Sequence, residues 1–164
     1  QIIEVCCMIE IKLIKKIIDE CKQKSNDIGK LKNSITGGEG NLAGIIGEYI
    51  VHKHLKNSEW KNTYNYDLIY NNNKIDVKTK RCNSKPKENY DCSVAKTSLH
   101  QNCDEYIFVR ILNDFSLAWI VGKKNQKEYF KSARKMVKGQ IDPSNNFTVR
   151  ADCYNLQINE LDKV

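Results

Sequence analysis

The stretch YDLIYNNNKIDVKTK, residues 66–80, decides the fold of this chain. Two short apolar runs flank three asparagines, and asparagine tolerates the positive φ angles of a tight turn, so the stretch predicts a β-hairpin. Each predicted strand nevertheless carries an aspartate, Asp67 or Asp76, and Lys78 follows two residues after the second one. Apolar side chains would stabilise a sheet more than these charges do, which indicates that the charges have a chemical purpose.

The register of the hairpin decides whether these charges meet. A three-residue loop over 71–73 would set Asp67 opposite Val77 and point the two aspartates to opposite faces. We favour a two-residue turn at residues 72–73, which pairs Asp67 with Lys78. One face then carries Asp67, Ile69, Asp76, Lys78 and Lys80. The other face is apolar, with Leu68, Tyr70, Ile75 and Val77.

This register makes Asp67 and Asp76 diagonal neighbours, roughly 7–8 Å apart at the backbone, so that both carboxylates can reach one cation. A site made only of oxygen ligands suits Mg²⁺ or Mn²⁺ rather than zinc. Lys78 beside such a metal can orient an attacking water and stabilise charge on a phosphate, which is the chemistry of phosphodiester cleavage. The simpler alternative is an edge hairpin with an Asp67–Lys78 ion pair, because D-x-K is common by chance.

A predicted helix over residues 42–55, with Asn41 as its N-cap, precedes the hairpin. Glu48 lies at the margin of the apolar stripe of this helix. Gly44 and Gly47 lower its intrinsic stability, so we expect a close approach of another backbone to the helix.

A helix with a glutamate, an aspartate in one strand and (D/E)-x-K in the next resembles the PD-(D/E)xK nuclease superfamily. The matching residues are Glu48 in GEYIV, Asp67 in YDLIY, and Asp76 and Lys78 in IDVKTK, and the resemblance covers residues 41–122. Tyr66 stands where the family name has proline. The resemblance implies a restriction-endonuclease-like mixed sheet flanked by helices, and metal-dependent hydrolysis of nucleic acid.

The same resemblance implies a role for each matching residue. Asp67 and Asp76 would bind Mg²⁺, for which Mn²⁺ substitutes, and the backbone carbonyl of Val77 would be a further ligand. Glu48 would be an additional ligand, direct or through water, and Lys78 would be catalytic.

The remaining pattern predicts one α/β or α+β domain. We expect an amphipathic helix over 2–21 and a loop over 22–33, together an N-terminal helical extension to the nuclease core at 41–122. Residues 90–95, 105–112 and 115–122 predict strands, the last two apolar enough to be covered on both faces. Residues 98–102 suggest a short helix. Residues 123–164 predict a basic helix over 123–139 and then a strand within 147–158.

The net charge of +7 and the pI near 9.0 favour an anionic partner, with nucleic acid first. The basic residues assigned to DNA are Lys80, Arg81, Lys123, Lys127 and Lys131. No apolar run approaches the roughly 18 residues of a membrane helix. The seven cysteines contain no C-x-x-C pair, which predicts reduced thiols and an intracellular, cytoplasmic protein.

These features together predict a Mg²⁺-dependent DNA endonuclease, restriction-like or Holliday-junction-resolvase-like. The helix over 2–21 is the candidate surface for a homodimer. The rival interpretation is a non-catalytic nucleic-acid-binding module on the same scaffold. A third is an interaction protein in which the hairpin charges form only a surface ion pair.

Overall fold

The computed structural model describes residues 8–32, 39–143 and 146–164, with the backbone alone for 28–32 and 39–41. Three α-helices occur in these residues: α1 (Lys15–Lys32), α2 (Glu39–His54) and α3 (Gln126–Ser132). The strands are β1 (Ile9–Lys12), β2 (Glu59–Trp60), β3 (Leu68–Tyr70), β4 (Asn73–Cys82), β5 (Asp91–Ala95), β6 (Glu105–Leu112), β7 (Leu117–Asn125), β8 (Arg134–Met136), β9 (Ile141–Asp142), β10 (Phe147–Thr148) and β11 (Cys153–Gln157). Single 3₁₀ turns cover Lys96–His100 and Ile158–Glu160.

The main sheet has six strands in the order β1-β7-β6-β4-β3-β2. Strands β4 and β6 run parallel, whereas the other neighbours in this sheet are antiparallel. A smaller sheet has the order β5-β11-β8, and β9 and β10 form a separate pair. The protein is therefore a mixed α+β structure, in agreement with the predicted fold class.

Each face of the central strands is covered by a different layer. Ile107, Val109 and Ile111 of β6 belong to a core with α1 and α2, whereas Tyr106 and Phe108 belong to a second core. That second core is completed by Val94, Tyr129 and Leu156 from β5, α3 and β11. Side chains alternate between the faces of a strand, so a strand buried on both faces is apolar almost throughout. The prediction that β6 and β7 are covered on both sides is confirmed.

The hairpin turn lies one residue earlier than predicted. Asn71 and Asn72 occupy it with φ angles of 48° and 64°, so Tyr70 pairs with Asn73 and Leu68 with Ile75. The predicted pairing of Asp67 with Lys78 is therefore wrong. Moving the turn by one residue shifts every partner by two, and a shift of two preserves the face on which each side chain lies. The predicted division of the hairpin into a charged and an apolar face consequently survives the wrong register.

The predicted N-terminal helix over 2–21 is also wrong, because Ile9–Lys12 is strand β1 at the edge of the main sheet. In this segment Ile9 and Ile11 pack against the first core, and Glu10 accepts a hydrogen bond from Trp119 Nε1 at 2.8 Å. This is the two-residue period of a strand. Helix α1 begins only at Lys15 and continues through most of the polar stretch predicted as a loop. The helical dimer surface expected over 2–21 therefore does not exist in that form; residues 1–7 lie outside the described part.

Helix α2 begins at Glu39, so Asn41 lies inside the helix and is not its N-cap. The glycine-rich segment before it lies largely outside the described residues.

The predicted basic helix over 123–139 is replaced by three elements. Strand β7 continues to Asn125, whose side chain caps the seven-residue helix α3 by accepting the N–H groups of Lys127 and Glu128. After α3 the chain forms strand β8. Lys123 and Lys124 pair across to β6, and this cross-strand pairing outweighs the helical pattern of the sequence. Strand β7 also starts two residues later than predicted, because Phe115 adopts a φ of 57° in the preceding turn.

The remaining predicted segments have the predicted type of secondary structure. Strand β5 and strand β6 cover nearly the predicted ranges, the short helix is the 3₁₀ turn at Lys96–His100, and the tail supplies β10 and β11. None of the helices in the described residues is long and apolar enough to cross a membrane.

Helix α2 lies directly on β4, and Gly47 makes this contact possible. A Cβ atom at Gly47 would be 1.9 Å from Thr79 Oγ1 and 3.1 Å from Thr79 Cβ. At Gly44 an added Cβ would meet nothing within 4 Å. The expected close approach is thus confirmed for Gly47 and absent for Gly44. Because Glu48 follows Gly47 in the helix, this contact also sets the distance between Glu48 and strand β4.

These two glycines allow a matched test. Gly47→Ala should lower the free energy of unfolding by about 1–3 kcal/mol, because the methyl group overpacks the helix–strand contact. Gly44→Ala should raise it by about 0.5–1 kcal/mol, because it improves helix propensity without a clash. Urea denaturation of both variants measures the difference. If both substitutions changed the free energy of unfolding by the same amount and in the same direction, the close contact between Gly47 and Thr79 would be contradicted.

Candidate active site

The hairpin brings the two predicted aspartates together in a buried position. Asp67 is only 8% exposed, and Asp76 is 5% exposed. Asp67 Oδ2 accepts the backbone N–H of Val77 at 2.8 Å, and the Asp67 N–H donates to the Ile75 carbonyl at 2.8 Å. Both hydrogen bonds join the residue preceding β3 to β4, so the carboxylate of Asp67 is held by the backbone of its neighbour.

Lys78 forms its ion pair with Asp76, two residues earlier on the same face of β4. Its Nζ lies 2.7 Å from Asp76 Oδ2, and it lies 5.6 Å from the centre of the Tyr106 ring. The side chain of Asp76 is 7% exposed and that of Lys78 is 24% exposed. The ion pair is therefore largely inside the protein, where an unpaired charge of either sign would be strongly unfavourable.

Gln101 is a member of this cluster that the sequence did not indicate. Lys78 Nζ donates to Gln101 Oε1 at 3.1 Å, and Gln101 Nε2 donates to Asp76 Oδ1 at 3.3 Å. The Gln101 amide thus bridges the ammonium and the carboxylate. The residue follows a 3₁₀ turn in a segment without periodicity, so no sequence pattern distinguishes it from an ordinary loop glutamine. Only the tertiary contact between this loop and β4 identifies it.

Glu48 approaches the cluster from helix α2. It is 9% exposed, and its Oε2 accepts a hydrogen bond from Trp60 Nε1 at 2.7 Å. The Nζ of Lys24 lies 3.0 Å from the centre of the Trp60 ring. His52 packs on the same ring at 5.7 Å, and its Nδ1 is 2.8 Å from Ser58 Oγ. Trp60 therefore holds Glu48, and His52 packs against the same indole.

The electrostatics of the cluster are dominated by buried negative charge. Burial raises the pKa of Asp67 to about 8, and the nearby carboxylates of Glu48 and Asp76 act in the same direction. Burial also raises the pKa of Asp76, against the opposing effect of the Lys78 ammonium. Lys78 Nζ, 2.7 Å from Asp76 Oδ2, is the cation that faces this buried carboxylate. Carboxylates in this condition favour a nearby cation.

A divalent cation fits these donors in part. Asp67, Asp76 and the Val77 carbonyl offer only oxygen, which suits Mg²⁺ or Mn²⁺. The burial of both carboxylates and the raised pKa of Asp67 agree with such an ion. Within the described residues, however, no three His, Cys, Asp or Glu side chains are grouped so that they could hold one metal ion. A carboxylate has two oxygens, so the hydrogen bond from Trp60 to Glu48 Oε2 does not by itself prevent Glu48 from binding a metal ion.

The five residues predicted to bind DNA do not form one surface. Lys80 shares the face of Asp76 and Lys78, whereas Arg81 lies on the other face, where it donates to the Asn113 carbonyl at 3.0 Å. Lys123 is on β7 within 3.7 Å of Glu105. Lys127 and Lys131 are exposed on α3. These residues therefore lie on three different elements, β4, β7 and α3.

The cysteines agree with the predicted reduced thiols where the structure describes them. Cys21, Cys82, Cys92, Cys103 and Cys153 are all free.

Comparison with known proteins adds no family to this geometry. No model of a protein family matches the chain, and no curated protein matches its sequence. The function must therefore be argued from the side chains themselves.

The raised pKa of Asp67 predicts how stability depends on pH. Its pKa is about 3.9 in an unfolded chain and about 8 in the folded protein, so the folded state holds an extra proton between these values. The free energy of unfolding of the metal-free protein should therefore fall as the pH rises from about 4 to about 8. Asp67→Asn removes this titration. In EDTA at pH 8 the variant should be more stable than the original protein by about 1.4 kcal/mol or more, the equivalent of at least one pKa unit.

Chemical denaturation at several pH values between about 4 and 8 measures this effect. Asp19→Asn, a substitution at an exposed aspartate of α1, is the matched control and should leave the pH profile unchanged. If Asp67→Asn and Asp19→Asn behaved alike, Asp67 would not titrate as a buried carboxyl.

Proposed function

We propose that this chain is a Mg²⁺-dependent nuclease that hydrolyses phosphodiester bonds of DNA as an endonuclease. The observation that carries the proposal is the buried cluster of Asp67, Asp76 and Lys78, held by one hairpin. A buried ion pair with a second carboxylate beside it stabilises a protein less than apolar side chains of similar volume do, so its presence points to a function. The resemblance to PD-(D/E)xK nucleases names the same residues.

The metal ion would be held by Asp67, Asp76 and the backbone carbonyl of Val77, with Glu48 contributing directly or through water. When bound, such an ion polarises a phosphoryl oxygen and lowers the pKa of a ligating water. The role of the protein is to hold these oxygens in place. The Val77 N–H fixes Asp67, and the Lys78 ammonium favours the charged form of Asp76 against the effect of burial.

Lys78 and Gln101 would act on the substrate side. The Lys78 ammonium is partly open to solvent, so it can donate to a phosphate oxygen or to an attacking water. The Gln101 amide holds that ammonium over Asp76, which reduces the freedom that a long lysine side chain otherwise retains. Gln101 is accordingly a positioning residue for Lys78.

The net charge of +7 supports DNA as the substrate, because each phosphate contact with lysine or arginine releases counterions. Lys80 on the site face of β4, and the exposed Lys127 and Lys131, are the proposed phosphate contacts. Lys123 and Arg81 are less suited to this role, since both already bind other groups of the protein. A homodimer would bring two sites to a duplex and would permit cleavage of both strands.

One observation favours the second candidate, a non-catalytic nucleic-acid-binding module. The described residues contain no group of three His, Cys, Asp or Glu side chains that could hold one metal ion. This alternative requires DNA binding that is independent of Mg²⁺, and no cleavage.

The test is incubation of the protein with supercoiled plasmid in Mg²⁺, Mn²⁺ or EDTA. We expect nicking that depends on the metal. Asp76→Asn and Lys78→Ala should each reduce the rate by roughly 10²–10³-fold, the usual effect of removing one group that stabilises developing charge. Asp19→Asn should cleave at the original rate, and circular dichroism should show that all three variants are folded.

A thermal shift on adding Mg²⁺ provides a readout that does not depend on activity. The ion should raise the melting temperature of the original protein and not that of Asp76→Asn. Cleavage that survives both active-site substitutions would assign the activity to another site. Tight DNA binding without any metal effect would select the non-catalytic module.

A further inference from the structure

A cavity of about 750 Å³ lies beside the site face of β4 and has no part in the cluster described above. Strand β4 reaches it through Lys80, two residues beyond Lys78 on the same face. At the rise of a β-strand, two residues span about 6.5 Å, which is comparable with one nucleotide step of an extended strand. The other walls come from β5, β6, β10 and β11, and they include Tyr90, Arg110, Phe147 and Arg150.

Three cations, Lys80, Arg110 and Arg150, line the cavity against two carboxylates, Asp91 and Asp152. Lys80 and Arg110 are direct partners across the parallel strands β4 and β6. Like charges directly opposite each other destabilise a sheet. Burial and the Arg110 charge both lower the pKa of Lys80. An anion in the cavity would remove this repulsion.

Arg110 is an unusual residue for this position because it is only 5% exposed. Its guanidinium donates to the backbone carbonyl of Asp91, and a carbonyl carries only a partial charge. The side chain of Asp91 forms an ion pair with Arg134 at 3.0 Å. Arg150 adds a third cation at the cavity from the segment after β10. Together these residues provide charge-assisted donors suited to a phosphate group.

Aromatic rings lie among these cations. The Lys80 Nζ is 5.2 Å from the centre of the Phe147 ring, and the Arg150 guanidinium is 5.8 Å from it. Arg110 lies 5.6 Å from the Tyr90 ring. Phe147 remains 41% exposed, although a large apolar side chain normally avoids water. An aromatic ring beside several cations is the combination with which proteins bind single nucleotides, through stacking and phosphate contacts.

We propose that this cavity binds an unpaired nucleotide of the DNA strand being cut, with its base on Phe147 and its phosphate among Lys80, Arg110 and Arg150. The volume lies within the usual range of small-ligand sites, roughly 300–1,000 Å³, and suits one nucleotide. A base inside a duplex is stacked on both sides, so only an unpaired base can stack on Phe147. The inference rests on the proposed nuclease function and narrows its substrate to DNA with a single-stranded segment, such as a branch, flap or end.

Binding in EDTA tests this inference separately from cleavage. Fluorescence anisotropy should show tighter binding of a short single-stranded oligonucleotide than of a blunt duplex of the same sequence. Phe147→Ala should weaken single-strand binding by about fivefold or more without changing its salt dependence. Ile141→Ala, which removes another exposed apolar side chain from the paired strand β9, is the matched control and should have no effect.

The charge is tested in the same assay over a series of KCl concentrations. Arg150→Ala should reduce the slope of log affinity against log salt by about 0.7, the contribution of one phosphate contact in a single strand. Lys56→Ala, which removes one exposed charge from the loop after α2, should leave this slope unchanged. Because Phe147 and Arg150 are exposed, both variants should keep the melting temperature of the original protein within a few degrees.

A competition experiment separates a nucleotide from a simple anion. A deoxynucleoside monophosphate should displace the oligonucleotide at lower concentration than inorganic phosphate does. Equal competition would reduce the cavity to an anion site and overturn the inference. It would also be overturned if Phe147→Ala and Arg150→Ala bound the single strand normally, even with metal-dependent cleavage intact. If both variants lost single-strand binding as expected but the original protein cleaved no DNA, the cavity proposal would be supported and the nuclease proposal would be overturned.

Discussion

The buried contact between Asp76 and Lys78 on strand β4 is the constraint on which the rest of the structure depends. Asp76 is buried on a central strand, so its charge must find partners within the protein. Lys78 supplies one partner for Asp76, and the Gln101 amide supplies another. Asp67 relies on the Val77 backbone. These contacts hold three charged groups in a volume that apolar residues would stabilise more.

The opposite face of β4 explains how the sheet tolerates this arrangement. There Ile75 and Val77 pack with the helices, and Gly47 lets α2 approach Thr79 closely. Apolar burial on that face contributes stability that the charged face does not, at about 25 cal/mol for each Å² removed from water. The same close approach brings Glu48 to the carboxylates, where Trp60 holds it. Packing and chemistry are therefore coupled through one helix–strand contact.

The acidic cluster and the basic cavity lie one after the other along β4, with Lys78 between Asp76 and Lys80. The acidic cluster, with Asp67, Asp76 and Glu48, favours a divalent cation, whereas Lys80 with Arg110 favours an anion. A nucleic-acid strand with its metal ion would satisfy both at once, because phosphate groups follow one another along it. This complementarity links the proposed hydrolysis to the proposed nucleotide cavity, although each has its own test.

The local sequence determined those elements that can be recognised from neighbouring residues alone. The asparagine cluster specified a two-residue turn, and alternation along 66–80 specified the faces of β3 and β4, even with the register shifted by two. The apolar runs specified β6 and most of β7. Only the tertiary structure decided that Ile9–Lys12 and Lys123–Asn125 are strands, because their backbones pair with neighbours distant in the chain. It alone also recruited Gln101, Trp60 and Arg110 to their contacts. Side-chain periodicity is a local property, whereas a hydrogen bond across a sheet or between a loop and a strand depends on where the rest of the chain lies.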